Sequence, residues 1–227
     1  MPKLAIYTAA FGDHDKPAEL PGLQGVVDLF CFTDSPDLKL DTWQIFRRPN
    51  VFRTPRMDAK WYKMSACHLM PQHEVSIYLD ASIRVKDPSL MIAEVGRALS
   101  RDARGELAFF LHPEEQRSLE QEAAFSMTMP KYQGEPCVRQ VEHYRDAGMP
   151  ASDPGYHLYA GGVIGRRHNA AVERFEKRWF DECVHWSCQD QLSLPYVLWR
   201  EQRAPGIIPG NIYDCSILGR VWSGPGK

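Results

Sequence analysis

The 227 residues suffice for one sizeable core, or for one core with a small appended lobe. With 44% apolar and 25% charged residues, the composition is that of a folded globular chain and sets disorder aside. Lys and Arg number 27 against 29 Asp and Glu, and a net charge of -2 argues against broad electrostatic binding to nucleic acid or an anionic membrane.

Residues 3–9 are predicted to form a short strand, stopped by the polar turn Phe11-Gly12-Asp13-His14-Asp15. A second strand spans 28–33 and runs into Thr33-Asp34-Ser35-Pro36; a third spans 43–47. Over 56–69, Met57, Trp61, Met64 and His68 recur at helical spacing and predict an amphipathic helix. Residues 75–85 (VSIYLDASIRV) read as one central strand around a single Asp. A helix over 88–99 follows Asp87-Pro88, and a strand over 107–111 closes at His112-Pro113. Helices are expected over 114–126 and 138–147, the latter ending at Gly148. A glycine-containing strand over 156–165 precedes helices over 169–183 and 190–202, and the tail from Ala204 is Pro- and Gly-rich coil.

Alternating strands and helices imply an α/β sheet covered on both faces, with ligands beyond the carboxyl ends of the strands. Those ends carry Asp13 and Asp15, Thr33 and Asp34, Asp80 and Ser82, and His112. The start of the chain lacks the apolar run of a signal peptide, and no stretch is apolar over transmembrane length, so a cytoplasmic protein is expected. Cys31, Cys67, Cys137, Cys183, Cys188 and Cys215 contain no CxxC pair. Cys183, His185 and Cys188 are irregularly spaced for zinc, and buried reduced thiols are the simpler reading.

Asp80 closes an apolar strand, where an unpaired carboxylate is costly to bury. It can ligate a divalent cation that balances a diphosphate leaving group, or merely cap the following turn. The run Arg47, Arg48, Arg53, Arg56, Lys60 and Lys63, opposed only by Asp58, is a candidate diphosphate clamp or a solvated helix face. Ser187 or Asp190 can cap the helix that follows; Asp190 can also act as a general base or orient an acceptor hydroxyl. His112 is either a metal or phosphate contact or a satisfied structural histidine. Trp199, Tyr213 and Trp222 are candidates for stacking on a sugar, with core packing the alternative.

The pieces YTAAFGDHD (7–15), CFTD (31–34), YLDASIRV (78–85), HP (112–113), QVEHYRDAGMP (140–150), GGVIGRRHN (161–169) and DQLSLPYVLW (190–199) occur in that order. Together they resemble a glycosyltransferase-like family that includes plant mucilage- and pollen-related proteins and bacterial relatives. The resemblance implies a single GT-A-like α/β domain with a mixed, mostly parallel sheet flanked by helices. Residues 1–112 would form the nucleotide-sugar-binding half and 113–227 the acceptor half. It places Thr8, Phe11, Gly12, Asp13, Asp15, Thr33 and Asp34 near the nucleotide, and the basic run offers Arg56, Lys60 and Lys63 to the same donor site. Asp80-Ala81-Ser82 takes the place of a DxD metal motif, and Mn²⁺ or Mg²⁺ would sit at Asp80, Ser82 and His112. Asp190 and Gln191 would be catalytic, and Gly161 and Gly162 would face the acceptor. The chain departs from the family pattern at Ser82, where a second carboxylate is usual, at Gln189, where an Arg is usual, and at Ala160, where an acid is usual. Weak metal dependence, or none, therefore stays open.

The implied activity is transfer of a sugar from a nucleotide diphosphate donor, a UDP-sugar by fold-level analogy, to a glycan or other hydroxyl acceptor. A polysaccharide is one such acceptor, and a nucleic acid is not excluded. The alternatives are a hydrolase acting on a lipid or nucleotide sugar through the same Asp190, and a catalytically silent nucleotide-sugar-binding module.

Overall fold

A computed structural model describes residues 3–12, 16–102, 104–151 and 157–220. Its main strands are β1 (Leu4–Ala10), β2 (Asp28–Thr33), β3 (Gln44–Arg47), β4 (Val75–Leu79), β6 (Leu107–Leu111), β7 (Tyr159–Arg167) and β8 (Gly206–Ile207). They form one sheet in the order β3-β2-β1-β4-β7-β6-β8. β7 runs antiparallel to β4 and β6, and every other pairing in the sheet is parallel. A separate two-stranded ribbon joins β5 (Ile83–Val85) to β9 (Leu218–Arg220). The helices are α1 (Pro55–Lys63), α2 (Ala66–Leu69), α3 (Pro88–Arg101), α4 (Leu119–Met127), α5 (Cys137–Asp146), α6 (Ala170–His185) and α7 (Asp190–Arg200), with a 3-10 turn at Pro130–Tyr132. This is the expected GT-A-like α/β architecture, with a mixed, mostly parallel sheet between helices.

Strand alternation divides the core in two. Ala5, Tyr7, Phe30, Phe32, Tyr78 and Phe109 enter one cluster with Phe175 and Trp179 of α6 and Leu192 of α7. Ile6, Leu29, Cys31, Ile77, Leu79 and Phe110 enter the other with Met91, Val95 and Leu99 of α3. Both faces are thus dry, which is why these strands read as unbroken apolar runs. Fully burying each large side chain stabilises the fold by about 1.5–3 kcal/mol. No helix among the described residues is long and apolar enough to cross a membrane.

Several expected elements are divided. The helix expected over 56–69 breaks after Lys63, because the Ala66 and Cys67 amides donate to the Glu176 carboxylate at 3.1 Å each. On the other side of the break, Lys63 O accepts from Tyr7 Oη at 2.8 Å and Arg166 Nη2 at 2.7 Å. The expected strand 75–85 stops at Leu79, turns at Asp80 through Ile83 N to Asp80 O at 2.9 Å, and leaves the sheet as β5. The helix expected from Glu114 begins at Leu119, where Ser118 and Gln121 form a reciprocal capping box. The tail expected to be coil contributes β8 and β9. The strand expected from 156 begins at Tyr159, Tyr156 itself lying outside the described residues. All six cysteines are free, and Cys183 faces Ser193 Oγ rather than a metal.

Candidate functional site

Arg56, Lys60 and Lys63 are four and three residues apart on α1, so they share one face of the helix. That face meets Asp190, the first residue of α7. Lys60 Nζ lies 2.7 Å from Asp190 Oδ1, and Lys63 Nζ lies 2.5 Å from Oδ2. Lys63 Nζ is also 3.9 Å from Asp80 Oδ1, which accepts from Tyr78 Oη at 2.8 Å. The Lys63 ammonium sits 5.4 Å from the Tyr78 ring and 5.9 Å from the Trp179 ring. Trp179 Nε1 donates to Asp190 O at 3.1 Å, fixing the start of α7. Burial alone would raise the Asp190 carboxyl, but the two ammoniums outweigh it and hold the group well below the usual carboxylate range. Burial would likewise lower Lys60, yet Asp190 keeps it above the usual lysine range. Side-chain exposure separates the two acids, at 5% for Asp190 and 39% for Asp80. Asp80 is the carboxylate open to a ligand.

A buried polar network lies under this centre. Arg166 pairs with Glu176 at 2.9 Å and donates through Nη1 to Tyr7 Oη at 2.9 Å, all three side chains being fully or almost fully buried. Because the same groups hold Lys63 O and the amides of the α1–α2 break, the backbone carrying Lys63 is tied to β1, β7 and α6. Arg166 Nη1 and Nη2 both donate and the Glu176 carboxylate takes two amides, which offsets the cost of burying the pair.

The sheet deforms to admit the centre. Phe109 of β6 pairs with Ile164 of β7, yet the next residue, Phe110, pairs with Ala160. The extra β7 residues 161–163 bulge toward β4, where Asp80 N donates to Gly162 O at 2.8 Å. A Cβ on Gly161 would stand 2.8 Å from Lys63 Nζ and 3.3 Å from Asp190 Oδ2; one on Gly162 would stand 2.9 Å from Ile212 Cδ1 and 3.3 Å from Asp80 Oδ2. Glycine is therefore what lets β7 touch both acids. Asp80, Lys60, Lys63, Asp190, Gly161 and Gly162, each expected on separate grounds, converge here.

Other expected residues lie elsewhere or serve the scaffold. Phe11 is fully buried and stacks on Tyr62 at 4.9 Å, so it belongs to the core rather than to a ligand surface. Asp34 accepts the Gly12 amide at 2.9 Å and Asn50 Nδ2 at 2.9 Å, joining the loops beyond β1 and β2. Thr33 is buried and its Oγ1 accepts from Ser35 N, while Thr8 is buried within β1. Asp13 and Asp15 lie outside the described residues, as does Trp222. Gln191 Nε2 donates to Tyr159 O at 3.3 Å. Neither Ser187 nor Asp190 caps α7: Gln189 occupies the cap without a side-chain bond to it, and Ser187 Oγ donates to Gln140 Oε1.

The groups expected to hold Mn²⁺ or Mg²⁺ do not form one set. His112 Nε2 faces Glu122 at 3.7 Å, and Glu122 also pairs with Arg117 at 2.8 Å. Ala81 and Ser82 follow Asp80 in the turn, leaving one carboxylate there with an ammonium 3.9 Å away. Among the described residues no group of three or more His, Cys, Asp or Glu can hold a metal ion. This donor set does not fit a cation held by the protein alone.

Composition and spacing do not point to Tyr132 or Lys131, on the 3-10 turn. Tyr132 Oη donates to Gln189 Oε1 at 2.9 Å, and Gln189 Nε2 donates in turn to Glu122 and Ser126. Arg56 and Lys131 both lie against the Tyr132 ring. Tyr78 had a signal, lying two residues before Asp80 at the end of β4, and the two side chains meet just beyond that strand end.

A family profile described as the TOD1/MUCI70, glycosyltransferase-like domain matches residues 29–214, a span that contains every residue of the charged centre. No curated protein matches the chain.

Proposed function

Since the chain belongs to the TOD1/MUCI70 glycosyltransferase-like family, we propose that it transfers a glycosyl group from a nucleoside diphosphate donor to a hydroxyl acceptor at the Asp80–Lys63–Asp190–Lys60 centre. The observation that carries this reading is the buried ion triad Lys60–Asp190–Lys63, set beside a half-exposed Asp80 at the carboxyl end of a parallel strand. When the bond from the sugar to the diphosphate breaks, negative charge grows on the leaving oxygen. Preformed positive charge in a site of low dielectric stabilises that growth without reorganising. Lys63, fixed by its backbone and by Asp190, supplies such a charge.

The two acids take different parts. Asp190, ionised far below neutral pH and engaged by two ammoniums, is a weak proton acceptor, and its role is to hold the lysines in place. Asp80 is open to accept a hydrogen bond from a sugar hydroxyl. Gly161 and Gly162 let β7 close against Lys63, Asp190 and Asp80, and so form the wall of the centre on its acceptor side. A uridine donor follows by fold-level analogy only.

The test is thermal-shift titration with UDP, GDP, ADP and CDP, each in EDTA and in Mn²⁺, followed by mass analysis of products from the matching nucleotide sugars with oligosaccharide acceptors. The expected result is a rise in melting temperature with one nucleotide, and an acceptor-linked product that Asp80→Asn abolishes. Absence of a shift with every nucleotide in both conditions would overturn the donor assignment. Free sugar without an acceptor-linked product would make water the acceptor.

A further inference from the structure

The α1 face carries its three cations inward in a row, and only the two inner ones meet an acid. Lys60 and Lys63 pair with Asp190. Arg56, at the outer end, donates to Lys131 O at 3.3 Å and places its guanidinium carbon 5.5 Å from the centre of the Tyr132 ring. The Lys131 ammonium stands 4.9 Å from the same ring. Among the described residues no carboxylate lies within ion-pair distance of Arg56 or Lys131. Desolvation, then the like charges of Lys60 and Arg56, lower the Lys131 ammonium from its ordinary range. Arg56 and Lys131 thus stand beside the Lys60–Asp190–Lys63 triad as cations outside any ion pair among the described residues, with Glu135, which accepts the Cys188 amide at 3.2 Å, as a further carboxylate nearby. The diphosphate bridge of a nucleotide sugar carries two negative charges.

From this juxtaposition we infer that Arg56 and Lys131, braced on the Tyr132 ring, form the subsite for the diphosphate of the donor. The inference rests on reading the neighbouring centre as a glycosyl-transfer site. It leaves the charge on the leaving oxygen to Lys63 and gives the other phosphate contacts to the pair beside Lys60. It also joins the two halves of the chain at the donor, because Arg56 comes from α1 and Lys131 from the 3-10 turn before α5. Arg56 supplies a planar fork for two phosphate oxygens, and Lys131 a point charge. Tyr132 links the subsite to the start of α7 through Gln189, so a seated diphosphate is felt one residue from Asp190.

The experiment measures binding by calorimetry for wild type, Arg56→Ala, Lys131→Ala and the control Lys39→Ala, an exposed cation that alters net charge equally. The probes are UDP, GDP, ADP and CDP, the monophosphate and nucleoside of whichever base binds, and inorganic pyrophosphate. The expected result is that each site variant weakens the nucleoside diphosphate and pyrophosphate about tenfold or more, as loss of a charged hydrogen bond implies. Nucleoside affinity stays within twofold, and Lys39→Ala matches wild type. A diphosphate that binds all four proteins equally would overturn the subsite while leaving the donor reading intact. Pyrophosphate bound by wild type and weakened in both variants, with no nucleotide bound, would uphold the anion subsite and sink the donor reading. If neither pyrophosphate nor any nucleotide binds wild type, both fall.

Discussion

Asp190→Asn keeps the size of the side chain and removes the charge that two ammoniums share. Side-chain exposure is 3% for Lys63 and 15% for Lys60, so neither can turn to water without moving α1. Leaving a buried charge without its partner costs about 3–5 kcal/mol, against a total stability on the order of 5–15 kcal/mol. At about 2–4 °C per kcal/mol for a chain of this size, the melting temperature is expected to fall by about 6–20 °C. The pH dependence has a definite sign. Asp190 has a depressed folded-state pKa, so its contribution is complete above the ordinary carboxylate range and is lost only as pH falls through the folded value. The difference between wild type and Asp190→Asn should therefore be flat from about pH 5 to pH 8. Melting curves of wild type, Asp190→Asn, Lys63→Met and the double variant complete the test. The double variant should lose less than the two single losses added together, because Lys63→Met removes one of the orphaned charges. An Asp190→Asn protein that melts with wild type, or strictly additive losses, would refute the account of the triad.

Gly161→Ala would set a methyl 2.8 Å from Lys63 Nζ, and a loss of about 1–3 kcal/mol together with most transfer activity is expected in melts and product assays. Unchanged activity would show that the bulge has room to spare. Gly206→Ala would place its Cβ 1.8 Å from the backbone oxygen of Ala98, a clash no rotamer relieves. Urea titration should show a loss of about 3 kcal/mol or more, and a loss below about 1 kcal/mol would contradict the close packing of β8 on α3. Burial first, then the Arg166 charge, lower His168 to about 4, while its ring meets Ser76 Oγ at 2.8 Å. The folded state thus takes up this proton less readily than the unfolded state. Stability should fall as pH drops from about 6.5 to about 4, by at most about 1.4 kcal/mol per pH unit and less for its partial exposure. Urea midpoints should show that dependence weakened in His168→Gln; an equal dependence in the variant would assign it to other groups.

The strands are legible where both faces are buried, as with Ile6 and Tyr7 or Phe109 and Phe110, because a continuous apolar run needs no periodicity to be noticed. The break between α1 and α2 is not legible, since its cause, Glu176, lies 110 residues from Ala66. β8 and β9, of two and three residues, are too short to carry a pattern. Asp80 and Asp190 stand out locally, one by closing an apolar strand and the other within DQLS. That Asp190 is engaged by two lysines, leaving Asp80 as the open carboxylate, depends on how α7 docks on α1. Arg56 is visible as part of a basic run, but Lys131 sits in a segment with no motif. Their common seat on Tyr132 exists only in three dimensions.

The bulge in β7 makes the position of the glycine pair a matter of chain length. The pairings of Phe109 with Ile164 and Phe110 with Ala160 persist on either side of residues 161–163. Gains or losses of residues at 161 and 162 fall where no ladder to β6 holds the chain, whereas Val163 pairs with Leu79 and keeps β7 in register with β4. A deletion there can withdraw Gly161 and Gly162 from the lysines and Asp80 while leaving every charged side chain of the centre encoded. Relatives that differ in length at this one point would thus present different spaces beside the same charges, a route to divergence that acts through spacing alone.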